Sequence, residues 1–331
     1  MSDDESAVIR ETSRRTFLRN ALLVGAGATA VGVTSLSRAV TAQAVQTIAD
    51  PTTAPAVLTN RIAYGAMHDI YPAWVANAPS PDGKNSERRY FETENFIPKD
   101  WTAAACHSRY VTISIRPNPD DLIHNSTIPD NGSGYTTLDG QIKHLLSTCP
   151  DHAELTCWHE AQSDNPVHYP TYINAGNVRA IHQHMQNLCT NTPDADGGRV
   201  KYGCILTGPV SSNVDWLGHG LDWYGIDIYD GPAFRFPNGN LDQTAIADRM
   251  ADNLSTWQTA KGGGTVSVRI TETNSAEDNH RKNWMLFLSQ WMVANNGYRI
   301  VTFWGGPLSG TWPPSETVLD YYVTLQSLYG A

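Results

Sequence analysis

The chain has 331 residues, of which 40% are hydrophobic and 17% charged, and its formal net charge is −10. So acidic a chain is a poor match for nucleic acid, whose phosphates carry the same sign. Its five cysteines are too few for a disulfide-rich scaffold, and none stands in the C-x-x-C spacing of structural zinc sites.

The first 44 residues have the organisation of an export leader. Residues 13–18 read S-R-R-T-F-L, which resembles the twin-arginine targeting motif, and an apolar stretch follows over residues 21–33. That stretch is shorter than the roughly 20 residues of a membrane-spanning helix. The small residues A-Q-A at 42–44 suit cleavage. We therefore expect transient binding to the twin-arginine translocase, removal of residues 1–44 and a secreted mature protein.

Residues 45–60 are rich in Thr, Ala and Pro and predict a short tether before one domain over residues 61–331. In that domain, short apolar segments alternate with longer segments of helical period, the pattern of β/α units. The predicted strands cover residues 62–67, 89–92, 110–116, 154–159, 200–206, 223–229, 265–272 and 299–304. The predicted helices cover residues 138–148, 175–189, 244–259, 281–294 and 317–329.

Eight strands with intervening helices favour an α/β fold of the (β/α)8 TIM-barrel type, which typically has about 250 residues. An open, doubly wound sheet is the alternative. No G-x-G-x-x-G sequence or phosphate-binding loop follows a predicted strand, so the sequence does not support nucleotide binding.

Two glutamates stand at predicted strand ends, where the active site of a barrel is built. Glu160 closes the segment E-L-T-C-W-H-E on the fourth strand, and Glu272 closes V-S-V-R-I-T-E on the seventh. Alone, either glutamate is more typical of a solvated rim charge or a helix cap. As a pair, they can converge on one bond across the ring, which is the arrangement of retaining glycosidases.

The sequence resembles the retaining β-glycosidases of clan A, and among them glycoside hydrolase family 26, the β-mannanase-like group. The resemblance rests on His159-Glu160, on Y-G-I-D-I-Y at residues 224–229, on I-T-E at 270–272 and on T-F-W at 302–304. It implies that Glu160 is the general acid/base and Glu272 the nucleophile. It also implies a polysaccharide or oligosaccharide substrate, no cofactor and no metal. We expect a monomer that binds no nucleic acid.

Three further residues take substrate-binding roles from the resemblance. His159 would contact the sugar or the nucleophile, and Tyr229 would orient Glu272. Trp304 would form a platform under the sugar at the cleavage point, because an aromatic face packs well against the C–H face of a pyranose. Packing in the core is the alternative role for Trp304.

Three more polar residues are candidates because they follow strands at the same rim. Asp227 and Arg116 can bind sugar hydroxyls, hold the catalytic carboxylates or form a structural ion pair. His68 follows the first strand. The residues after Glu160, A-Q-S-D-N at 161–165, differ from the Met-Asn or Trp-Asn of typical mannanases. The expected substrates are therefore β-mannan first, then β-glucan or xylan.

Two other function classes fit parts of the sequence. A metal-dependent barrel hydrolase could draw on eleven histidines, but His182 and His184 lie two apart in a predicted helix and would face different ways. A non-catalytic glycan-binding protein would use the ten tryptophans, yet it would not need both carboxylates.

The cysteines are expected to be core thiols with at most two bridges. If one bridge forms after export, Cys106 with Cys149 is the expected pair, since each closes a helical stretch that leads into a strand. Because the twin-arginine route carries folded proteins from a reducing cytoplasm, any bridge should be dispensable for folding.

Overall fold

Eight parallel strands form one closed barrel in the computed structural model of the protein. Their order is β1 to β8, and β8 closes the ring by pairing with β1. The strands are β1 (Ala63–Met67), β2 (Ser86–Phe91), β3 (Tyr110–Ile115), β4 (Ala153–Cys157), β5 (Lys201–Thr207), β6 (Trp223–Asp227), β7 (Ser267–Thr273) and β8 (Tyr298–Phe303). The structure describes residues 63–67, 86–91, 110–149, 153–164, 173–273, 275, 278–295, 298–303 and 325. The TIM-barrel prediction is confirmed, and the open-sheet alternative is wrong.

All eight predicted strands are present, with boundaries that differ by a few residues. The largest difference is in β2, which begins at Ser86, three residues before its predicted start. Its first four residues are S-E-R-R, so no apolar segment marks the beginning of the strand. Parallel pairing on both sides holds β2 in the ring despite that polarity.

Helices follow most of the strands in the described part of the chain. They are α1 (Pro119–His124), α2 (Leu138–Thr148), α3 (Ala161–Asp164), α4 (Ala175–Asn191), α5 (Gln243–Ala260) and α6 (Asp278–Ala294), with 3-10 turns at Val210–Trp216 and Pro232–Phe234. The predictions missed α1, α3 and both turns, which are too short to show a helical period. The predicted helix at 317–329 lies outside the described residues, apart from Leu325.

Side-chain caps set where the long helices begin. Thr137 accepts a hydrogen bond from the amide of Gly140 at the start of α2, and Asp242 accepts one from Ala245 at the start of α5. Such caps satisfy amides that have no partner within the helix. No helix among the described residues is long and apolar enough to cross a membrane.

Alternate residues of each strand lie on opposite sides of the barrel wall. On β5, Tyr202 and Cys204 belong to the apolar core between the strands and the surrounding helices. Ile205 lies on the inner side, beside Gly225 of β6 and Thr271 of β7. A Cβ on Gly225 would lie 2.7 Å from the Thr271 side chain, so the barrel interior requires glycine there.

A buried ion pair links two strands that are not neighbours. Arg269 of β7 and Glu154 of β4 form a bidentate pair, and each residue is 3% exposed. The Arg269 guanidinium lies 4.3 Å from the centroid of the Trp223 ring, which in turn leaves no room for a Cβ on Gly203. Inward side chains of β4 and β7 therefore meet inside the barrel.

The prediction of core thiols is confirmed for three cysteines. Cys157, Cys189 and Cys204 are buried, and burial raises the pKa of each thiol, in the case of Cys204 to about 12. Cys149 is buried as well, at the end of α2. Cys106 lies outside the described residues, so its bridge to Cys149 stays a prediction.

His182 and His184 face different ways from α4, as the helical spacing predicted. The ring of His182 is buried, with Nδ1 2.8 Å from the hydroxyl oxygen of Tyr202. His184 is half-buried, and its Nε2 lies 2.8 Å from a carboxylate oxygen of Asp139 on α2. The two imidazoles therefore do not converge, and this pair does not provide the ligands that a metal-dependent hydrolase would need.

His182 is expected to make the fold less stable as the pH falls from 6.5 toward 4. Burial lowers the pKa of this imidazole from 6.5 to about 4. The unfolded chain therefore takes up a proton near pH 6.5, whereas the folded chain does so only near pH 4. This difference costs the fold up to about 3 kcal/mol at low pH.

Denaturant titrations between pH 7 and pH 4 test this expectation. His182→Gln should lose less unfolding free energy over that range than the wild type. Tyr202→Phe removes the hydroxyl partner but keeps the buried imidazole, so it should retain the wild-type pH dependence. Equal pH dependence in His182→Gln and the wild type would contradict the prediction.

Candidate active site

The carboxyl ends of the strands bring several of the predicted site residues to one rim of the barrel. Glu160 lies three residues past the end of β4, and Glu272 lies one residue before the end of β7. Backbone pairing sets Glu272 beside Asp227, the last residue of β6. The side chain of Glu272 lies outside the described part of the structure, as do His68 and Trp304 entirely.

The backbone itself holds Glu160 at the rim. Trp158 and Glu160 both have a φ of 55°, in a left-handed region that non-glycine residues seldom adopt. The amide of Trp158 donates to the carbonyl oxygen of Ile115 on β3, and the amide of Glu160 donates to that of Ile205 on β5, each at 3.0 Å. Backbone strain of this kind, roughly 1–3 kcal/mol per residue, is typical of functional sites.

His159, between these two residues, is fixed through both ring nitrogens. Nδ1 is bonded to the hydroxyl of Ser114, and Nε2 lies 3.0 Å from a guanidinium nitrogen of Arg116. A guanidinium can only donate, so Nε2 accepts and the hydrogen resides on Nδ1, which donates to Ser114. His159 is therefore a neutral imidazole in this arrangement.

Arg116, which directly follows β3, forms hydrogen bonds to the turn that carries Glu160. Besides its bond to the ring, its guanidinium donates to the backbone carbonyl oxygen of His159 at 2.8 Å. The ring of His159 is only 3% exposed. In this geometry, Arg116 and His159 hold the Glu160 turn beside β3. A contact of His159 with the sugar or with Glu272 stays a prediction.

Trp158, which is buried, contacts the same group of residues. Its indole nitrogen donates to the carbonyl oxygen of Pro117 at 2.8 Å, and its ring centroid lies 5.8 Å from the guanidinium carbon of Arg116. Neither Trp158 nor Ser114 was predicted to be a site residue. The available signal for Ser114 was its position two residues before Arg116, which puts both on the same face of β3.

Asp227 is a buried carboxylate at the end of β6. Its Oδ1 accepts a hydrogen bond from the hydroxyl of Thr271 at 2.6 Å. The register between β6 and β7 shifts here, so that Glu272 rather than Thr271 pairs with Asp227. Bulges of this kind re-aim side chains near active sites. Tyr229 follows two residues later and is half-buried.

The backbones of two glutamates, Glu160 and Glu272, lie at this rim of the barrel. The Glu160 turn is held by backbone hydrogen bonds to β3 and β5. The backbone of Glu272 pairs with Asp227 where the register between β6 and β7 shifts. Among the described residues, no group of three or more histidine, cysteine or acidic side chains is arranged to hold a metal ion.

No family model matches the sequence, and no curated protein matches it either. Among solved structures, a modular endo-β-1,4-mannanase of glycoside hydrolase family 26 from Cellulomonas fimi is similar, with a TM-score of 0.52 and 12% identity over 81% of this chain and 70% of that one. A broad-specificity endoglucanase of family 5 from Clostridium acetobutylicum has a TM-score of 0.49 and 10% identity over 80% and 96%. The similarity to the family 26 mannanase is one of overall fold.

Proposed function

We propose that the protein is a retaining endo-β-glycosidase that hydrolyses a β-linked polysaccharide outside the cell. The observation that carries the proposal is the position of Glu160 and Glu272 at one rim, after β4 and near the end of β7. Lower in the barrel, Glu154 and Arg269 of the same two strands already touch. That contact supports a convergence of the two glutamates further along.

The proposed reaction is a double displacement. In the first step, the Glu272 carboxylate attacks the anomeric carbon while the Glu160 carboxyl group protonates the departing glycosidic oxygen. A covalent glycosyl ester on Glu272 results, and the leaving sugar departs as an alcohol. Retaining enzymes hold the two carboxyl groups about 5–5.5 Å apart for this purpose.

In the second step, Glu160 regains its proton and Glu272 is released from the ester. The Glu160 carboxylate takes a proton from water, whose oxygen attacks the anomeric carbon and breaks the ester bond to Glu272. Glu160 is then protonated again and Glu272 is again a carboxylate. Two inversions at the same carbon give net retention of the β configuration.

Residues behind the rim support the acid/base role of Glu160. Its proton must stay aligned with the glycosidic oxygen, and a misplacement of about 1 Å can cost roughly a hundredfold in rate. Hydrogen bonds among Ser114, Arg116 and neutral His159 hold that turn in place. We further propose that Tyr229 orients Glu272 and that Trp304 lies beneath the sugar at the cleavage point.

A glycan panel tests the proposed function. The mature protein is incubated with plant, fungal and bacterial cell-wall glycans, and new reducing ends are measured. We expect release from a β-mannan first, with β-glucan or xylan as the next candidates, and NMR should detect the β-anomer before the α-anomer. An α-anomer formed first would contradict retention. Binding without release from any glycan would identify a non-catalytic glycan-binding protein instead.

We also propose that the protein is exported by the twin-arginine route. The support is the S-R-R-T-F-L segment at residues 13–18 and the A-Q-A segment at 42–44. Polysaccharides are too large to enter a cell, so an enzyme that degrades them must act outside it. The exported protein should begin at Val45 on N-terminal sequencing, and an uncleaved chain in the cytoplasm would contradict the proposal.

A further inference from the structure

A cavity of about 450 Å³ opens beside the candidate active site, in the loops that follow β6 and β7. Its lining includes Asp230, Arg235, Phe236, Ser275 and His280. This volume is within the range of pockets that bind small molecules. None of these five residues had been singled out in the sequence.

The cavity is close to the proposed cleavage point. Asp230 and Ser275 each lie three residues beyond the backbone pair of Asp227 and Glu272. Three residues span at most about 11 Å of chain. A sugar in the cavity would therefore be a near neighbour of the sugar attacked by Glu272.

A short hairpin over residues 234–242 forms the outer wall of the cavity. Arg235 and Leu241 pair in antiparallel fashion at its base. Phe234 packs on Trp284 of α6, with ring centroids 5.6 Å apart, and this contact anchors the hairpin to the barrel. The hairpin is therefore paired internally at its base and anchored to α6 through Phe234.

A partly buried ion pair between Asp230 and Arg235 forms the floor of the cavity. Asp230 accepts hydrogen bonds from Arg235, through Nε at 2.9 Å and through an amino nitrogen, and from the hydroxyl of Ser275 at 2.7 Å. Arg235 also donates to the carbonyl oxygen of Gly239 at 2.6 Å. These bonds use three of its five N–H groups, which leaves two for a ligand hydroxyl. Since Asp230 balances its charge, Arg235 suits an uncharged polyol better than an acidic sugar.

Phe236 gives the cavity an aromatic edge. It is 48% exposed, although its backbone amide is bonded to the carbonyl oxygen of Asn240 at 2.9 Å. A large apolar ring held in solvent by an ordered turn gains free energy when a ligand covers it. The ring and the guanidinium together match the two surfaces of a pyranose, its C–H face and its hydroxyl rim.

We propose that this cavity binds one uncharged sugar unit of the glycan, adjacent to the unit at the cleaved bond. Phe236 stacks on the ring of that sugar, and Arg235 donates to its hydroxyls. The inference rests on the proposed function and extends it to substrate length. Contacts in the cavity add to transition-state stabilisation only for glycan chains long enough to fill both positions.

Phe236→Ala tests the cavity. We expect kcat/KM on the polysaccharide to fall roughly tenfold, mainly through KM, because about 1.4 kcal/mol of binding free energy corresponds to that factor. Phe236→Trp, which keeps an aromatic ring at this position, should retain the wild-type activity on the polysaccharide. Tyr135→Ala is the matched control, since Tyr135 is also 48% exposed but lies against His144 of α2.

Gel electrophoresis in the presence of the polysaccharide measures binding apart from turnover. Suppose that the wild type hydrolyses the polysaccharide, and that Phe236→Ala hydrolyses it equally fast and is slowed equally by it in the gel. The cavity proposal then fails, while the proposed function stands. If the wild type releases no sugar, the proposed function fails. In that case, weaker retardation of Phe236→Ala than of the wild type supports the cavity, and no retardation of the wild type overturns it.

Discussion

Glu272→Ala is expected to lower glycan hydrolysis by about 10⁴-fold or more, as removal of a catalytic nucleophile commonly does. Without this carboxylate, the anomeric carbon has no partner for the covalent intermediate. The backbone pairing of β6, β7 and β8 does not depend on this side chain, so the barrel should remain folded. Reducing-end assays give the rate, and circular dichroism checks the fold.

Glu160→Ala should show a different pattern. Hydrolysis of polysaccharides should fall by a similar factor, but an aryl glycoside with a good leaving group should lose much less in the first step, since its departure needs no proton. Azide then separates the two roles. With Glu160→Ala, azide should attack the covalent intermediate and give a β-glycosyl azide. With Glu272→Ala, azide should displace the leaving group directly and give an α-glycosyl azide.

An exposed acidic residue provides the control for both variants. Asp248 lies on the solvent side of α5, and Asp248→Ala removes a carboxylate without touching the rim. Its activity should equal that of the wild type. Wild-type activity in Glu160→Ala or Glu272→Ala would overturn the assignment, and the same azide anomer from both would contradict the division of roles.

Arg269→Met is expected to destabilise the fold by about 3–5 kcal/mol. The substitution leaves the Glu154 carboxylate inside the barrel without the guanidinium that pairs with it. An uncompensated charge in that position is costly because the surrounding side chains solvate it poorly. Guanidinium chloride titration measures the loss as a lower unfolding midpoint.

The double variant Glu154→Leu/Arg269→Met isolates the cause. With both charges gone, most of the stability should return, because an apolar pair of similar volume is often as stable as a buried ion pair. An equal deficit in the single and double variants would contradict this account and assign the loss to the contact between Arg269 and Trp223.

Strands β3 to β7 were predictable from local sequence because their outward faces are apolar and their lengths are short. Helix α2 was predicted residue for residue, since its apolar period is regular and Thr137 caps it. Only β2 was hard to place, because polar residues open it. The closure of the ring could be inferred from the number of β/α units.

The contacts that hold the Glu160 turn and the β6–β7 register could not be predicted in the same way. Arg116 and His159 each looked like an independent rim residue, and nothing local indicates that two adjacent strands bring them into contact. The left-handed backbone at Trp158 and Glu160 depends on carbonyl groups of β3 and β5. The register shift that pairs the backbone of Glu272 with Asp227 arises between two strands, and no single segment encodes it.

The buried thiols of Cys157, Cys189 and Cys204 bear on the proposed export of the protein from a reducing to an oxidising compartment. Oxidants and disulfides react with the thiolate, and burial disfavours that form at all three positions. These side chains therefore contribute apolar volume to the core without responding to redox potential. A barrel with such a core can fold where thiols are kept reduced and work where they are oxidised, with the same interior in both places.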